Sequence, residues 1–189
     1  MADAGRVIAG SARGLRLEAP AAGTRPLGDR VKQTLFAILE PGLPGSRFLD
    51  LFAGSGAAGI EALSRGAEHA TFVERDAAAS RVIAANLARM HLAERATIVT
   101  ADAIAWLHRT EATAGGSFDI VFVDPPYAEP KLLETALTAL ALRVGTGARV
   151  VAKHFWRDRP PAQVGLLASE RERRFGETAL TFYRRQEDR

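Results

Sequence analysis

The sequence predicts an α/β fold in which helices flank a doubly wound, mostly parallel sheet. Between about residues 47 and 153, short apolar segments alternate with segments of helical periodicity, which is the pattern of parallel strands joined by crossover helices. One apolar segment, residues 118–123, has five apolar residues out of six, as expected for a strand that is buried on both faces. A glycine-rich turn that follows Phe52 separates the first strand from the helix that starts at about Ala57.

The elements can be assigned in chain order. Within residues 5–18, the segments 6–9 and 15–17 predict the two strands of a β-hairpin with a basic loop between them. A helix is expected over about 30–39, and the Pro-Gly pairs at 41–42 and 44–45 end it. The strands predicted next are 47–52, 70–74, 96–100, 118–123 and 147–153, and the helices between them are 57–66, 77–92, 103–110 and 130–142. Pro160-Pro161 interrupts this alternation, and strands over 165–175 and 178–184 are expected to finish the sheet as an antiparallel hairpin.

Composition excludes several classes of protein. A chain of 189 residues with 47% hydrophobic residues can form one domain with a sizeable core. It has no apolar run of about 18 residues and no visible secretory signal, so we expect no membrane association and a cytoplasmic location. The lack of cysteine excludes disulfides and cysteine nucleophiles, and the four histidines lack metal-ligand spacing, so no metal site is expected.

The charge is distributed unevenly along the chain. Residues 1–47 and 153–189 each carry a net charge of +3, while residues 48–152 carry −3. Basic ends around an acidic middle suit a polyanionic substrate such as RNA. Composition is equally compatible with arginines that only keep the two ends soluble.

Residues suited to a ligand follow each of the first four strands of the predicted sheet. The segment 50–56 follows the first strand, Glu74 ends the second, Asp102 follows the third and Asp124 the fourth. Because ligands of such sheets bind at the carboxyl ends of the strands, one site is expected here. The glycine turn and a ribose-binding carboxylate suit a nucleoside cofactor. The turn also fits a dinucleotide fingerprint, so a nicotinamide cofactor stays an alternative at this point.

The most informative motif is Asp124-Pro-Pro-Tyr127. Two prolines fix φ and remove N–H groups, so the carbonyl groups of this loop are expected to be rigid and unpaired. A carboxylate and a fixed carbonyl can accept both N–H groups of an exocyclic amine, and Tyr127 offers a face for stacking the base. Orienting those N–H bonds turns the amine lone pair toward an electrophilic methyl group. Alone, the motif could also be a turn with a solvated aspartate.

These motifs resemble those of S-adenosylmethionine-dependent methyltransferases, through segments 50–66, 72–74 and 123–127. Segment 25–36 is similar to the N-terminal signature of the RsmD-like family of small-subunit ribosomal RNA guanine-N2 methyltransferases. The resemblance implies a Rossmann-like class I methyltransferase fold with a seven-stranded sheet. It further implies a hairpin extension over 1–24, a catalytic domain over 25–189, S-adenosylmethionine as cofactor, and ribosomal RNA or the small ribosomal subunit as the partner of a monomeric enzyme.

The resemblance also implies roles for individual residues. The catalytic residues would be Asp124, Pro125, Pro126 and Tyr127. The cofactor would contact Arg30, Thr34, Asp50, Phe52, Ala53, Gly54, Ser55, Gly56, Glu74, Arg75, Asp102 and Ala103. The N-terminal hairpin with Arg6, Arg13 and Arg16, and Arg25 after it, would contact RNA. Independently of the resemblance, the basic and aromatic residues Lys153, Trp156 and Arg157 could join the RNA surface, or Trp156 could pack under the C-terminal hairpin. Two departures stand out, because Gln33 replaces the family's usual glutamate, and segment 153–157 is basic and aromatic where relatives tend to carry an acidic residue.

Other functions stay open on the sequence alone. The acceptor could be adenine N6 in DNA or RNA, or a glutamine amide in a protein, because both present a planar NH₂ group. An alternative of another class is an RNA-binding ribosome assembly factor without catalysis. Such a protein would retain the fold, but it would not need all of the site residues that this chain carries. A nicotinamide dehydrogenase would explain Glu74 but would leave Asp124-Pro-Pro-Tyr127 without a role.

Overall fold

The computed structural model describes residues 2–20, 27–109 and 118–187. The chain divides into two compact units, Met1–Ala101 and Asp102–Arg189. The division that the sequence predicts, with an extension over 1–24 and a catalytic domain after it, stays a prediction. Within the described ranges no helix has the length and apolar character needed to cross a membrane.

Three parallel strands form the centre of the first unit, paired in the order β5-β4-β3. They are β3 (Arg47–Leu51), β4 (His69–Glu74) and β5 (Ala96–Thr100). The helices of this unit are α1 (Asp29–Leu39), α2 (Ala57–Ser64) and α3 (Ala77–Arg89), with 3₁₀ turns at Glu40–Gly42 and Ala93–Arg95. All eight residues of α2 are buried. A Cβ atom at Gly59 would lie 2.3 Å from Cε1 of Phe72, so only glycine lets α2 approach β4 this closely.

The N-terminal hairpin pairs β1 (Ala2–Arg6) with β2 (Arg16–Ala19) in antiparallel register. The sequence places the first strand later, at residues 6–9, and that assignment is wrong. The backbone N–H groups of Ile8 and Ala9 donate to the carboxylate of Glu61, at 2.8 and 3.0 Å. A buried side chain on α2 therefore takes the hydrogen bonds that a longer strand would have used.

The hairpin is also fastened to α2 and α3 at two other points. Ser64 Oγ donates to the carbonyl of Ala9 and accepts the N–H of Ala12, at 2.6 and 2.9 Å. On α3, the fully buried Asn86 amide both accepts from the N–H and donates to the carbonyl of Glu18, each at 3.0 Å. The basic loop of the hairpin is thus held by side chains far away in sequence.

The described residues of the second unit, 102–109 and 118–187, form five strands in the order β6-β7-β10-β9-β8. Strands β6 (Ile120–Val123) and β7 (Arg149–Phe155) are parallel, while β8 (Gln163–Val164), β9 (Leu167–Phe175) and β10 (Thr178–Arg185) continue antiparallel. Its helices are α4 (Ala103–Leu107) and α5 (Pro130–Ala141).

The predicted fold class is confirmed, with its α/β alternation, mostly parallel strands and N-terminal hairpin. All seven strands predicted for the sheet are present, and β8 is a short additional strand. Helices α2 and α3 end before the predicted positions, at Ser64 and Arg89. Since α2 is followed by a turn through Gly66 at φ 101°, its last turn cannot continue as helix.

Candidate active site

The turn after β3 contains three residues at positive φ. Phe52 has a φ of 64°, Gly54 of 56° and Gly56 of 77°. Holding a phenylalanine in this left-handed region costs about 1–3 kcal/mol, and such strain is concentrated at functional sites. Gly56 is the N-cap of α2, and a Cβ atom there would lie 3.2 Å from Ile83. The turn therefore presents bare backbone at a helix N-terminus, which favours an anionic ligand group.

Two carboxylates hold this turn in place. Asp50, which is buried, accepts the N–H of Gly59 at 2.8 Å. Glu74 at the end of β4 accepts the N–H of Gly54 with Oε2 at 2.8 Å and that of Asp76 with Oε1 at 2.9 Å. A carboxylate has about four acceptor positions, so Glu74 keeps capacity for two ribose hydroxyls. The pattern fits a nucleoside cofactor at Glu74, whereas Asp50 primarily shapes the turn.

Other cofactor candidates of the first unit lie around the same turn. The N–H of Ala53 donates to the carbonyl of Val73 at 3.0 Å, which continues the pairing of β3 with β4 beyond the strand. Ser55 is buried, and its carbonyl accepts from Nδ2 of Asn86 at 3.4 Å. Arg75 is exposed. The turn is thus supported from β4 and α3, and contacts of these residues with a cofactor stay predictions.

Helix α1 contributes a cation that the sequence analysis did not single out. Lys32 is fully buried, donates to the carbonyl of Arg6, and lies 3.6 Å from the carboxylate of Asp29. Burial lowers its pKa, and the nearby carboxylates oppose that effect. The predicted residues Arg30 and Thr34 lie on the same helix, where Thr34 Oγ1 donates to the carbonyl of Arg30 at 3.1 Å. Lys32 therefore joins α1 to the end of β1.

In the second unit, Asp102 and Ala103 stand at the start of α4. Asp102 is exposed and caps the helix, because its Oδ1 accepts the N–H of Ala105 at 2.8 Å. Ala103 is buried. A cap uses one acceptor position of this carboxylate and leaves others for a ligand.

Asp124 follows β6 directly and is paired with a lysine. Nζ of Lys153 on β7 donates to both carboxylate oxygens, at 2.7 and 2.8 Å. The same ammonium lies 5.0 Å from the centre of the Tyr127 ring. The Tyr127 hydroxyl is 2.9 Å from Oγ1 of Thr178 on β10, which fixes the ring from its far end. Asp124 and Tyr127 are thus brought together, and both are anchored to neighbouring strands.

Burial and the lysine act on Asp124 in opposite directions. Burial raises the pKa of the Asp124 carboxyl, because a charged carboxylate loses hydration, and the Lys153 ammonium opposes this rise. From the sequence, Lys153 is expected on an RNA-contacting surface. In the structure it is 6% exposed and bound to Asp124, and a contact with RNA stays a prediction.

The two prolines differ in their backbone environment. The carbonyl of Pro126 accepts the N–H of Glu129 at 3.0 Å, so the prediction of an unpaired carbonyl is wrong at this position. The bond forms because the loop turns directly into α5, whose N-cap is Glu129. Beside this loop lies an open, shallow cleft. Its lining residues are Pro125, Pro126, Tyr127, Glu129, Leu133, Lys153, His154, Phe155 and Asp158.

The candidate RNA contacts of the first unit are arginines at the hairpin. Arg6 pairs with Asp29 at 3.2 Å and Arg16 pairs with Asp3 at 2.6 Å, both at the surface, while Arg13 is exposed in the loop. Arg25 lies outside the described residues. These arginines are exposed enough to meet a polyanion, and that role stays a prediction.

In the second unit, Trp156 is half-buried between two arginines. Arg174 of β9 lies 3.6 Å from the ring centre and the exposed Arg157 lies 4.7 Å from it. Its backbone N–H donates to the carbonyl of Glu177 at 3.0 Å, next to β10. Trp156 therefore packs against the C-terminal hairpin.

The comparisons with known proteins agree with the geometry of both units. The family model described as Conserved hypothetical protein 95 matches residues 5–184. The chain belongs to this family. A relative from Bacillus subtilis (strain 168), "Putative rRNA methyltransferase YlbH", is 40% identical over 183 residues, which cover 95% of this chain and 98% of the relative.

Another relative and one solved structure extend this finding. "Ribosomal RNA small subunit methyltransferase D" of Escherichia coli (strain K12) is 45% identical over 131 residues, which cover 69% of this chain and 64% of the relative. The structure "Putative methyltransferase yhhF from Escherichia coli" superposes with a TM-score of 0.87 at 34% identity and covers 98% of this chain and 99% of that one. The predicted membership of the RsmD-like family is confirmed.

Proposed function

We propose that this protein transfers a methyl group from S-adenosylmethionine to N2 of a guanine in small-subunit (16S) ribosomal RNA. The observation that carries the proposal is the anchored pair of the Asp124 carboxylate and the Tyr127 ring at the end of β6. The relatives, which are named as ribosomal RNA methyltransferases, support the same activity. S-adenosylmethionine supplies an electrophilic methyl carbon when it is bound.

Residues of the first unit would hold that cofactor. Glu74 keeps acceptor capacity for the ribose hydroxyls, and the strained turn through Phe52, Gly54 and Gly56 offers backbone N–H groups to the methionine part. In the second unit, Asp102 and the backbone of Ala103 would contact the adenine. Arg30, Thr34, Ser55 and Arg75 are proposed to contribute from the surrounding helix and loops.

Residues of the second unit would hold the target base. An exocyclic amine inside a duplex cannot be reached, so the guanine has to be unpaired or flipped out. Asp124 would accept an N–H of the amine and take up its proton, while the carbonyl of Pro125 accepts the second N–H. Tyr127 would stack on the base, a contact that contributes about 1–3 kcal/mol. Together these groups orient the nitrogen lone pair and stabilise the charge that develops on it.

The exposed arginines would bind the RNA backbone. Arg6, Arg13 and Arg16 of the hairpin and Arg157 after β7 would meet phosphates, with Arg25 as a further candidate. We also propose that the enzyme is a cytoplasmic monomer that needs no membrane. Light scattering on the purified protein tests the monomer, which has a mass of 20.3 kDa.

The activity is tested by mass spectrometry of the modified RNA and protein. The purified protein is incubated with methyl-deuterated cofactor and small ribosomal subunits, or free 16S ribosomal RNA, from cells that lack the gene. Labelled N2-methylguanosine is the expected product. Labelled N6-methyladenosine, or a labelled glutamine in a ribosomal protein, would replace the proposal by one of the alternative acceptors. If calorimetry detected no binding of the cofactor, the non-catalytic assembly factor would be favoured instead.

A further inference from the structure

The partner of Asp124 is a buried lysine whose place in the sheet leaves it little freedom. Strands β6 and β7 pair in parallel register with Val123 opposite Ala152, so Asp124 and Lys153 are the next positions along the same two strands. On its other side β7 pairs with β10, where Leu180 lies opposite Lys153. The backbone of Lys153 is therefore held in β7 by its pairing with β10, while Asp124 has already left its strand.

The contact between the two charged groups uses both carboxylate oxygens. The Lys153 ammonium donates to Oδ1 at 2.7 Å and to Oδ2 at 2.8 Å, and its side chain is only 8% exposed. Each carboxylate oxygen has two lone pairs. Lys153 thus occupies one acceptor position on each oxygen, and a remaining position can accept an N–H group of an amine.

We infer that Lys153 is a positioning residue for methyl transfer, which holds the Asp124 carboxylate in the orientation and charge state that accept the guanine amine. The inference rests on the proposed role of Asp124. A protonated Asp124 could not take up the amine proton, and one of its oxygens would present an O–H donor to a group that is itself a donor. Partial burial makes a carboxylate take up a proton more readily than full hydration does, and the Lys153 ammonium opposes this.

The other titratable groups of the cleft have different partners or face the opening. Tyr127 is bound at its hydroxyl to Thr178, and His154 is bound through Nε2 to Thr181 at 2.9 Å. Glu129 and Asp158 line the cleft as exposed carboxylates. Among the charges of the cleft, Lys153 alone is in hydrogen-bond contact with Asp124 in the part of the chain that the structure describes.

The structure also separates this role from binding of the RNA backbone. A phosphate contact requires an accessible cation, and Lys153 is buried, whereas Arg157 four residues later is exposed. The basic segment 153–157 therefore contains one cation suited to the site and one suited to the surface. Variants at these two positions form a matched pair for the experiment.

The direct test is a carboxyl ¹³C NMR titration of Asp124 in the protein without ligands. The Asp124 signal is assigned by its loss in Asp124→Asn and is followed against pH in the wild type, Lys153→Met, Lys153→Arg and Arg157→Met. We expect Asp124 to titrate at higher pH in Lys153→Met, and near the wild-type position in Lys153→Arg and Arg157→Met. The same titration curve in Lys153→Met and the wild type would overturn the inference. If Lys153→Met does not fold, as judged by circular dichroism, Lys153→Gln takes its place.

The kinetic test follows kcat against pH at saturating RNA. For Lys153→Met we expect kcat to fall on the order of ten-fold below the wild-type value at the lowest pH tested. The difference in kcat should narrow as pH rises, because deprotonation of Asp124 restores the acceptor. Lys153→Arg should restore the wild-type dependence of kcat on pH. Arg157→Met should raise the KM for RNA and leave the dependence of kcat on acidic pH unchanged. A loss that is uniform across pH, or a change in the KM for RNA alone, would refute the positioning role. If Asp124→Asn methylates as fast as the wild type, the proposed function of Asp124 fails, and the NMR titration still reports the coupling of the pair.

Discussion

Replacing Glu61 with alanine should detach the N-terminal hairpin from α2 and lower the stability of the first unit. The Glu61 carboxylate is fully buried and accepts the backbone N–H groups of Ile8 at 2.8 Å and Ala9 at 3.0 Å. It also accepts Nε–H of Arg65 at 2.7 Å, one helical turn further along. The substitution removes all three bonds at once.

The size of the effect follows from these bonds. A hydrogen bond to a charged acceptor contributes about 1.5–3 kcal/mol, and removing that acceptor leaves a donor without a partner. Ile8 and Ala9 are only half-buried, so water can replace part of the loss. We therefore take the lower end for the two backbone bonds and expect a loss of about 3 kcal/mol. For a chain of this length that corresponds to a fall in Tm of about 6–12 °C.

Differential scanning calorimetry measures the change in Tm, and hydrogen exchange shows where it arises. Glu68→Ala is the matched control, because Glu68 is an exposed glutamate in the turn after α2. We expect faster exchange at residues 8–12 in Glu61→Ala and wild-type behaviour in Glu68→Ala. Wild-type protection at residues 8 and 9 in Glu61→Ala, with an unchanged Tm, would refute the assignment of these bonds.

Three further substitutions test the site and its packing. Asp124→Ala should lower kcat about 10²–10⁴-fold, because it removes the acceptor for the amine protons. Calorimetry should give a cofactor affinity near that of the wild type. A comparable loss of cofactor affinity would contradict the assignment of Asp124 to the target base. Glu74→Ala should weaken cofactor binding about ten-fold or more, because charge-assisted bonds to the ribose are lost, and unchanged affinity would exclude that contact. Gly59→Ala should lower the free energy of unfolding in urea by about 1–3 kcal/mol, because the added Cβ atom would clash with Phe72. Gly28→Ala should change it little, because no atom lies within 4 Å of the added Cβ there. Equal urea midpoints for the two variants would disprove the close packing.

Hydrophobic periodicity was enough to predict the main elements of the sheet. The run at 118–123 and the alternation around it are local properties of the chain, so β6 and its neighbours could be assigned without a structure. The first strand of the hairpin could not, because its end depends on Glu61, which lies 53 residues after Ile8. Local pattern cannot report a hydrogen bond between such distant positions.

Some features of the candidate site could likewise be predicted from the sequence, and others could not. Gly54 and Glu74 could be predicted because each follows a strand of the first unit, and parallel strands end at the same edge of a sheet. Asp124 could be predicted because it follows β6 of the second unit. The paired carbonyl of Pro126 depends on how the loop enters α5, and the partner of Asp124 depends on the register of β6 with β7. The sequence of one strand does not determine its register with a strand that is far away along the chain.

Charged residues inside apolar segments were the signal that the sequence analysis left unused. Lys32 lies on the same face of α1 as the buried Leu35, Phe36 and Leu39, Glu61 lies within the wholly buried α2, and Lys153 lies within the apolar strand β7. Burying an unpaired charge is too costly to be tolerated, so each such residue must have a partner somewhere in the fold. Their partners are the backbone of the hairpin for Lys32 and Glu61, and Asp124 for Lys153. A mismatch between charge and pattern therefore predicts a tertiary contact, and its identity has to come from the structure.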